Sequence, residues 1–127
     1  MATSRVPSRR SVAVGSWNPS GAQQRTVLLT ESLGGAPAAA ELLGVSPGKL
    51  SRWMNGAESP GVDAWRTIID LDYALARAQM IWGREVAVQW ILGSNAHLGG
   101  ARPVDVLRNG GTAEIIDALD AAQSGAF

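Results

Sequence analysis

Ser46, Lys49, Ser51, Arg52 and Asn55 fall within ten consecutive residues, and their polar groups are of the kinds that recognise a nucleic-acid duplex. Hydroxyl and ammonium groups suit phosphate oxygens, so Ser46, Ser51 and Lys49 read as backbone contacts. Arg52 offers a planar fork of N–H donors that matches the O6 and N7 acceptors of guanine. The Asn55 carboxamide can bond adenine or a phosphate. Pro47 and Gly48 bring no side-chain hydrogen bonds to a base edge, which leaves a sparse reading head. One copy would bind weakly; specific recognition predicts a homodimer on two half-sites about 34 Å apart.

Such groups need a helix to present them, and the surrounding residues predict one. Pro37 to Gly56 reads as two short helices around a tight turn, with the spacing of a helix-turn-helix. Ala40 is small where the helices must approach, and Gly44 supplies a left-handed turn residue at little steric cost. Leu50 and Trp53 are placed to pin the second helix to the first. Ser46 is positioned to cap it, and Pro47 fits its first turn, where no N–H is needed. Asn55-Gly56 is a left-handed helix exit.

The rest of the chain bounds the possibilities. Its 127 residues are 46% hydrophobic and include no cysteine, which excludes disulfides and thiolate metal sites. No apolar run approaches the ~18 residues of a membrane span. Arg5, Arg9 and Arg10 are not followed by an apolar segment, so no secretory signal is expected and the chain reads as cytoplasmic. Net charge is zero, but residues 1–60 hold six basic and three acidic side chains, and residues 61–127 five and eight. A basic first half suits phosphates; an acidic second half suits a cationic partner.

The predicted fold is all-α. Residues 1–24, rich in Ser, Gly, Pro and Arg, read as a disordered basic tail in which Val12, Val14 and Trp17 could dock. Residues 25–60 form the helix-turn-helix region, opened by a helix from Arg25 to Leu33 with Val27, Leu28 and Leu33 turned inward. Residues 61–82 form a bridging helix whose apolar stripe is Trp65, Ile68, Leu71, Leu75, Ala78 and Trp82. Gly83 breaks it, and residues 83–127 form a C-terminal domain. That domain comprises a helix from Arg84 to Leu92, a glycine-rich loop from Gly93 to Gly100, a Pro103–Arg108 helix and a last helix capped by Thr112. In the last helix Ile115, Ile116, Leu119 and Ala122 face inward. The second half contains no paired catalytic carboxylates, no nucleophile–base arrangement and no phosphate loop, and His97 stands alone. An enzyme is not expected, nor a cofactor or metal.

The segment Trp90-Ile-Leu-Gly-Ser-Asn95-Ala-His-Leu98-Gly-Gly-Ala-Arg102-Pro103-Val-Asp105-Val-Leu107, with Gly110 and the helix ending Gly125-Ala126-Phe127, resembles the C-terminal toxin-binding domain of Xre/MbcA/ParS-type antitoxins. In that family a divergent Xre-like helix-turn-helix precedes the domain, and the resemblance spans about Gly35 to Phe127. Two departures stand out. Ser94 occupies a position where the family often has Pro, and Gly110-Gly111 loosens the approach to the last helix.

The resemblance implies an antitoxin that blocks a RES-domain, NAD-degrading toxin by covering its active site. It also implies repression of the antitoxin's own operon, and a homodimer that joins the toxin in a larger assembly. Asn95, Leu98, Arg102, Pro103, Asp117, Asp120, Gly125, Ala126 and Phe127 are the expected toxin contacts. Glu114, Asp117 and Asp120 recur every third residue. The last two lie near the helix C-terminus, where negative charge is unfavourable by ~0.3–1 kcal/mol each. A local cost without an intramolecular return points to an external cationic partner, such as a dinucleotide pocket. The alternative reading is a stand-alone helix-turn-helix regulator whose second half dimerises or senses a ligand.

Overall fold

The apolar stripe at steps of three and four becomes one helix of 21 residues, and most of the other helices are laid against it. The computed structural model describes residues 19–125. Its elements are α1 (Pro19–Ser32), α2 (Ala36–Leu43), α3 (Pro47–Asn55), α4 (Val62–Trp82), α5 (Arg84–Leu92), α6 (Pro103–Arg108) and α7 (Thr112–Gln123). A single 3₁₀ turn, Ala96–Leu98, lies in the loop between α5 and α6. Every regular element among the described residues is helical, as the sequence predicts.

Ile68, Leu71, Leu75 and Ala78 of α4 are buried, and Trp65 and Trp82 flank them half-buried. Against one part of this face lie α1 and α2, which also clamp α3; against the rest lie α5, α6 and α7. The core is continuous from Leu29, Leu42, Leu50 and Trp53 through α4 to Ile91, Leu107, Ile115 and Leu119. Fully burying a Leu or Ile side chain contributes roughly 1.5–3 kcal/mol, so the shared rod holds both halves. At Gly83 the chain turns with φ 85°, and Trp82 meets Trp90 across the corner, ring centroids 5.4 Å apart and planes 33° apart.

Four expectations need correction. The first helix starts at Pro19 rather than Arg25, so residues 19–24 are helical and not tail. Ala22 and Thr26 are fully buried, and the Thr26 hydroxyl donates to the Ala22 carbonyl at 2.7 Å. Small and polar residues pack closely here without an apolar rhythm to announce it. In the same helix Leu29 is buried and Leu28 is 56% exposed; a Val-Leu-Leu run does not say which of its members faces in. Residues 1–18, with Arg5, Arg9, Arg10, Val12, Val14 and Trp17, lie outside the described residues.

Thr112 does not cap α7. Gly111 holds the N-cap position without a side-chain bond, and the Thr112 hydroxyl donates instead to Asp70 Oδ2 of α4 at 2.8 Å. Gly110-Gly111 is also tight rather than loose. The Gly111 N–H donates to the Val106 carbonyl at 2.8 Å. A Cβ at Gly111 would stand 2.5 Å from Val106 Cγ1. Only the absence of a side chain lets α6 and α7 approach this closely.

Candidate functional site

Two polar faces stand out, one on α3 and one formed by the α5–α6 loop with α7. On the first, local chemistry fixes the helix as the sequence predicts. Gly44 adopts φ 71°, and its N–H and that of Val45 close the end of α2 on the Glu41 and Ala40 carbonyls. Ser46 Oγ accepts from the Lys49 N–H at 3.1 Å, and Pro47 follows it in the first turn. Leu50 and Trp53 are 0% and 2% exposed, so the opposite face of α3 is turned outward. Ser46, Pro47, Gly48, Ser51, Arg52 and Asn55 are exposed, and Lys49 is half-buried. From α1, Gln23 Nε2 donates to the Met54 carbonyl at 3.1 Å and steadies the end of α3.

The cations of this face are not free. Glu58, just past the left-handed exit at Gly56, folds back over α3. Its Oε2 accepts from Lys49 Nζ at 2.6 Å and its Oε1 from Arg52 Nε at 2.9 Å. These two donors hold the Glu58 carboxyl down to a pKa of about 2, Lys49 first and Arg52 second. Lys49 Nζ also lies 5.9 Å from the centre of the Trp53 ring, within cation–π range. Asn55 Oδ1 is committed to the turn, accepting from the Ala57 N–H at 2.9 Å. Sequence reasoning missed Glu58; the signal was an acid placed where the Asn55-Gly56 reversal returns the chain to the helix it leaves.

On the second face the expected contact residues separate into two groups. Asn95 and Pro103 are buried, at 6% and under 2% exposed, so they shape the loop instead of presenting side chains. Asn95 Oδ1 accepts from the His97 N–H at 2.9 Å, its own N–H donates to the Ala101 carbonyl, and its carbonyl accepts from Leu98 and Gly100. With these bonds the loop needs no proline at position 94 to hold the turn. Leu98 is half-buried, and its turn packs on α7. Arg102 grips Asp105 with two bonds, Nε to Oδ2 at 2.8 Å and Nη2 to Oδ1 at 3.0 Å, which lowers the Asp105 carboxyl below its usual range.

Asp117, Asp120 and Gly125 are exposed, and Ala126 and Phe127 lie outside the described residues. Asp120 corrects the argument from helix polarity. Its Oδ1 accepts from Arg77 Nη2 of α4 at 2.9 Å, and the same Nη2 donates to Gln123 Oε1 at 2.9 Å. The return for placing this acid late in α7 is therefore intramolecular. Among the described residues no group of three or more His, Cys, Asp or Glu could hold a metal ion. None of the described helices is long and apolar enough to cross a membrane.

Residues 77–125 match the family described as the antitoxin Xre/MbcA/ParS C-terminal toxin-binding domain. The resemblance read from the loop and the Pro103 helix thus holds over α5, α6 and α7. The Mycobacterial cidal antitoxin MbcA of Mycobacterium tuberculosis (strain H37Rv) and that of Mycobacterium bovis are each 27% identical to the chain over 108 residues, which is 85% of this chain and 90% of theirs. A chain from the crystal structure of the M. tuberculosis MbcT–MbcA toxin–antitoxin complex shares the fold, with a TM-score of 0.68 at 24% identity. The alignment covers 83% of this chain and 96% of that one.

Proposed function

We propose that this chain is the antitoxin of a toxin–antitoxin pair, a cytoplasmic binding protein and not an enzyme. Its C-terminal segment would bind and block a cognate RES-type toxin that degrades NAD, and its α2–turn–α3 unit would grip operator DNA to repress its own operon. The observation that carries the reading is the match of residues 77–125 to a toxin-binding domain. The likeness to MbcA antitoxins over most of both chains supports it. The assembly envisaged is a homodimer joined to toxin in a larger complex.

In this reading Ser46, Lys49, Ser51, Arg52 and Asn55 face the duplex. Asn95 and Pro103 set the shape of the loop, from which Leu98 and Arg102 reach the toxin, and Asp117, Asp120 and residues 125–127 enter a cationic dinucleotide pocket and exclude NAD. The test is co-expression with the product of the adjacent gene, followed by pull-down and measurement of cellular NAD. Capture of that protein with preserved NAD is expected; a chain that ignores it overturns the reading. Deleting residues 124–127 addresses the plug alone: full NAD protection by the shortened chain rejects it and leaves binding elsewhere on the domain intact.

A further inference from the structure

We propose that Glu58 is an internal stand-in for a DNA phosphate, which occupies the α3 cations in the free chain and sets how tightly this face binds duplex DNA. The inference rests on the reading of α3 as the DNA face and adds to it a residue that limits affinity. Lys49 and Arg52 are the basic side chains of α3, and one carboxylate takes both, a separate oxygen to each. A phosphate offers the same arrangement, two anionic oxygens on one centre, so DNA and Glu58 compete for the same donors. With Glu58 in place the three groups sum to a single positive charge.

The surroundings make this a poised contact and not a buried lock. The side chains of Lys49, Arg52 and Glu58 are 42%, 51% and 31% exposed, so an incoming phosphate can reach the cations and the carboxylate can swing to solvent. Glu58 lies in the connection between α3 and α4, and its N–H closes the end of α3 on the Arg52 carbonyl at 3.1 Å, so the carboxylate can swing away by side-chain rotation with this backbone bond in place. The carboxyl stays ionised at any pH near neutrality because its pKa lies at about 2. Displacement by an anion, and not protonation, is what releases the pair.

The consequence is measurable in salt dependence. Each cation available to phosphate adds about 0.9 to the slope of log affinity against log salt. Glu58→Gln frees one net charge, so its slope should be steeper than that of the wild type by about one. Any gain in affinity should shrink about three- to fourfold between 50 and 200 mM salt. A rearrangement that merely loosened the turn would not produce that slope.

The experiment is fluorescence anisotropy of the full chain on a labelled duplex carrying its own promoter, from 50 to 200 mM salt. Wild type, Glu58→Gln and Glu85→Gln are compared; the last removes the same charge from α5, away from α3. Glu58→Ala is read in the same way should the Gln variant fold poorly. Tighter binding by the Glu58 variant, roughly tenfold at the lowest salt with the steeper slope, and wild-type behaviour of Glu85→Gln are expected. If the wild type binds and the Glu58 and Glu85 variants behave alike, the inference is overturned while the DNA face stands. If neither the wild type nor the Glu58 variants bind the promoter, the DNA reading falls and takes the inference with it.

Discussion

The two charged faces have opposite signs and are built by opposite means. On α3 the cations lie on the helix and their counter-charge comes from the next loop, only nine and six residues away. On α7 the acid lies on the helix and its counter-charge, Arg77, comes from the central rod, 43 residues away. The first pairing is local and can open without disturbing the core. The second ties α7 to α4, so opening it loosens a tertiary contact. A face built the first way can trade its internal partner for an external one at little structural cost, whereas a face built the second way must keep part of its charge for the fold.

The predictions test that contrast, from the largest expected effect to the smallest. Leu50→Ala, at the seat of α3, should cost about 2–5 kcal/mol of stability, as for other fully buried leucines. Because α4 is common to both halves, urea unfolding should remain a single transition seen alike by circular dichroism and Trp fluorescence. Two separate transitions would show that the halves are not joined by the rod. Gly111→Ala places a methyl group against Val106 and should cost about 1–3 kcal/mol through overpacking, read as a lowered urea midpoint. Toxin capture should weaken with it, since α6 and α7 would move apart.

Arg52→Ala should cost roughly 1–3 kcal/mol in promoter affinity if Arg52 reads a base, with little change in stability. An unchanged gel shift returns this side chain to the ordinary surface. Arg77→Ala should cost no more than about 1 kcal/mol of stability, since Asp120 is largely exposed. If the α7 acids meet a cationic pocket, toxin capture should survive the change, because Asp120 is then unpaired and still presented.

The smallest effect is one of pH. The Glu58 carboxyl is lowered from 4.5 to about 2 in the folded chain. Its contribution to stability is therefore fully present above the unfolded value and lost as pH falls through the folded one. The melting-temperature difference between wild type and Glu58→Gln should narrow from pH 5 toward pH 2. A difference that stays constant over that interval would mean the pair is not formed in solution.

The helix plan was largely legible. Gly83, Pro103 and the Asn55-Gly56 exit marked the bounds of α3, α4, α5 and α6, because glycine and proline act on the backbone wherever they stand. The capped start of α3 was legible for the same reason: Ser46 needs only its own next turn. The beginning of α1 was hidden because its burial uses Ala22 and Thr26, residues without an apolar signature. The capping role read for Thr112 and the polarity argument built on Asp120 failed because their partners, Asp70 and Arg77, lie across the fold on α4. Asn95 was read as a contact because a polar side chain in a loop looks available, whereas here it holds the loop together.

The indoles of Trp82 and Trp90 also make the α4–α5 corner an optical gauge. Two such chromophores 5.4 Å apart and inclined at 33° couple their electronic transitions, and the resulting pair of circular-dichroism bands depends on their mutual angle. Any ligand that straightens or tightens the bend at Gly83 would change that signal without a label being attached. The chain thus carries its own reporter at the boundary where its two halves meet.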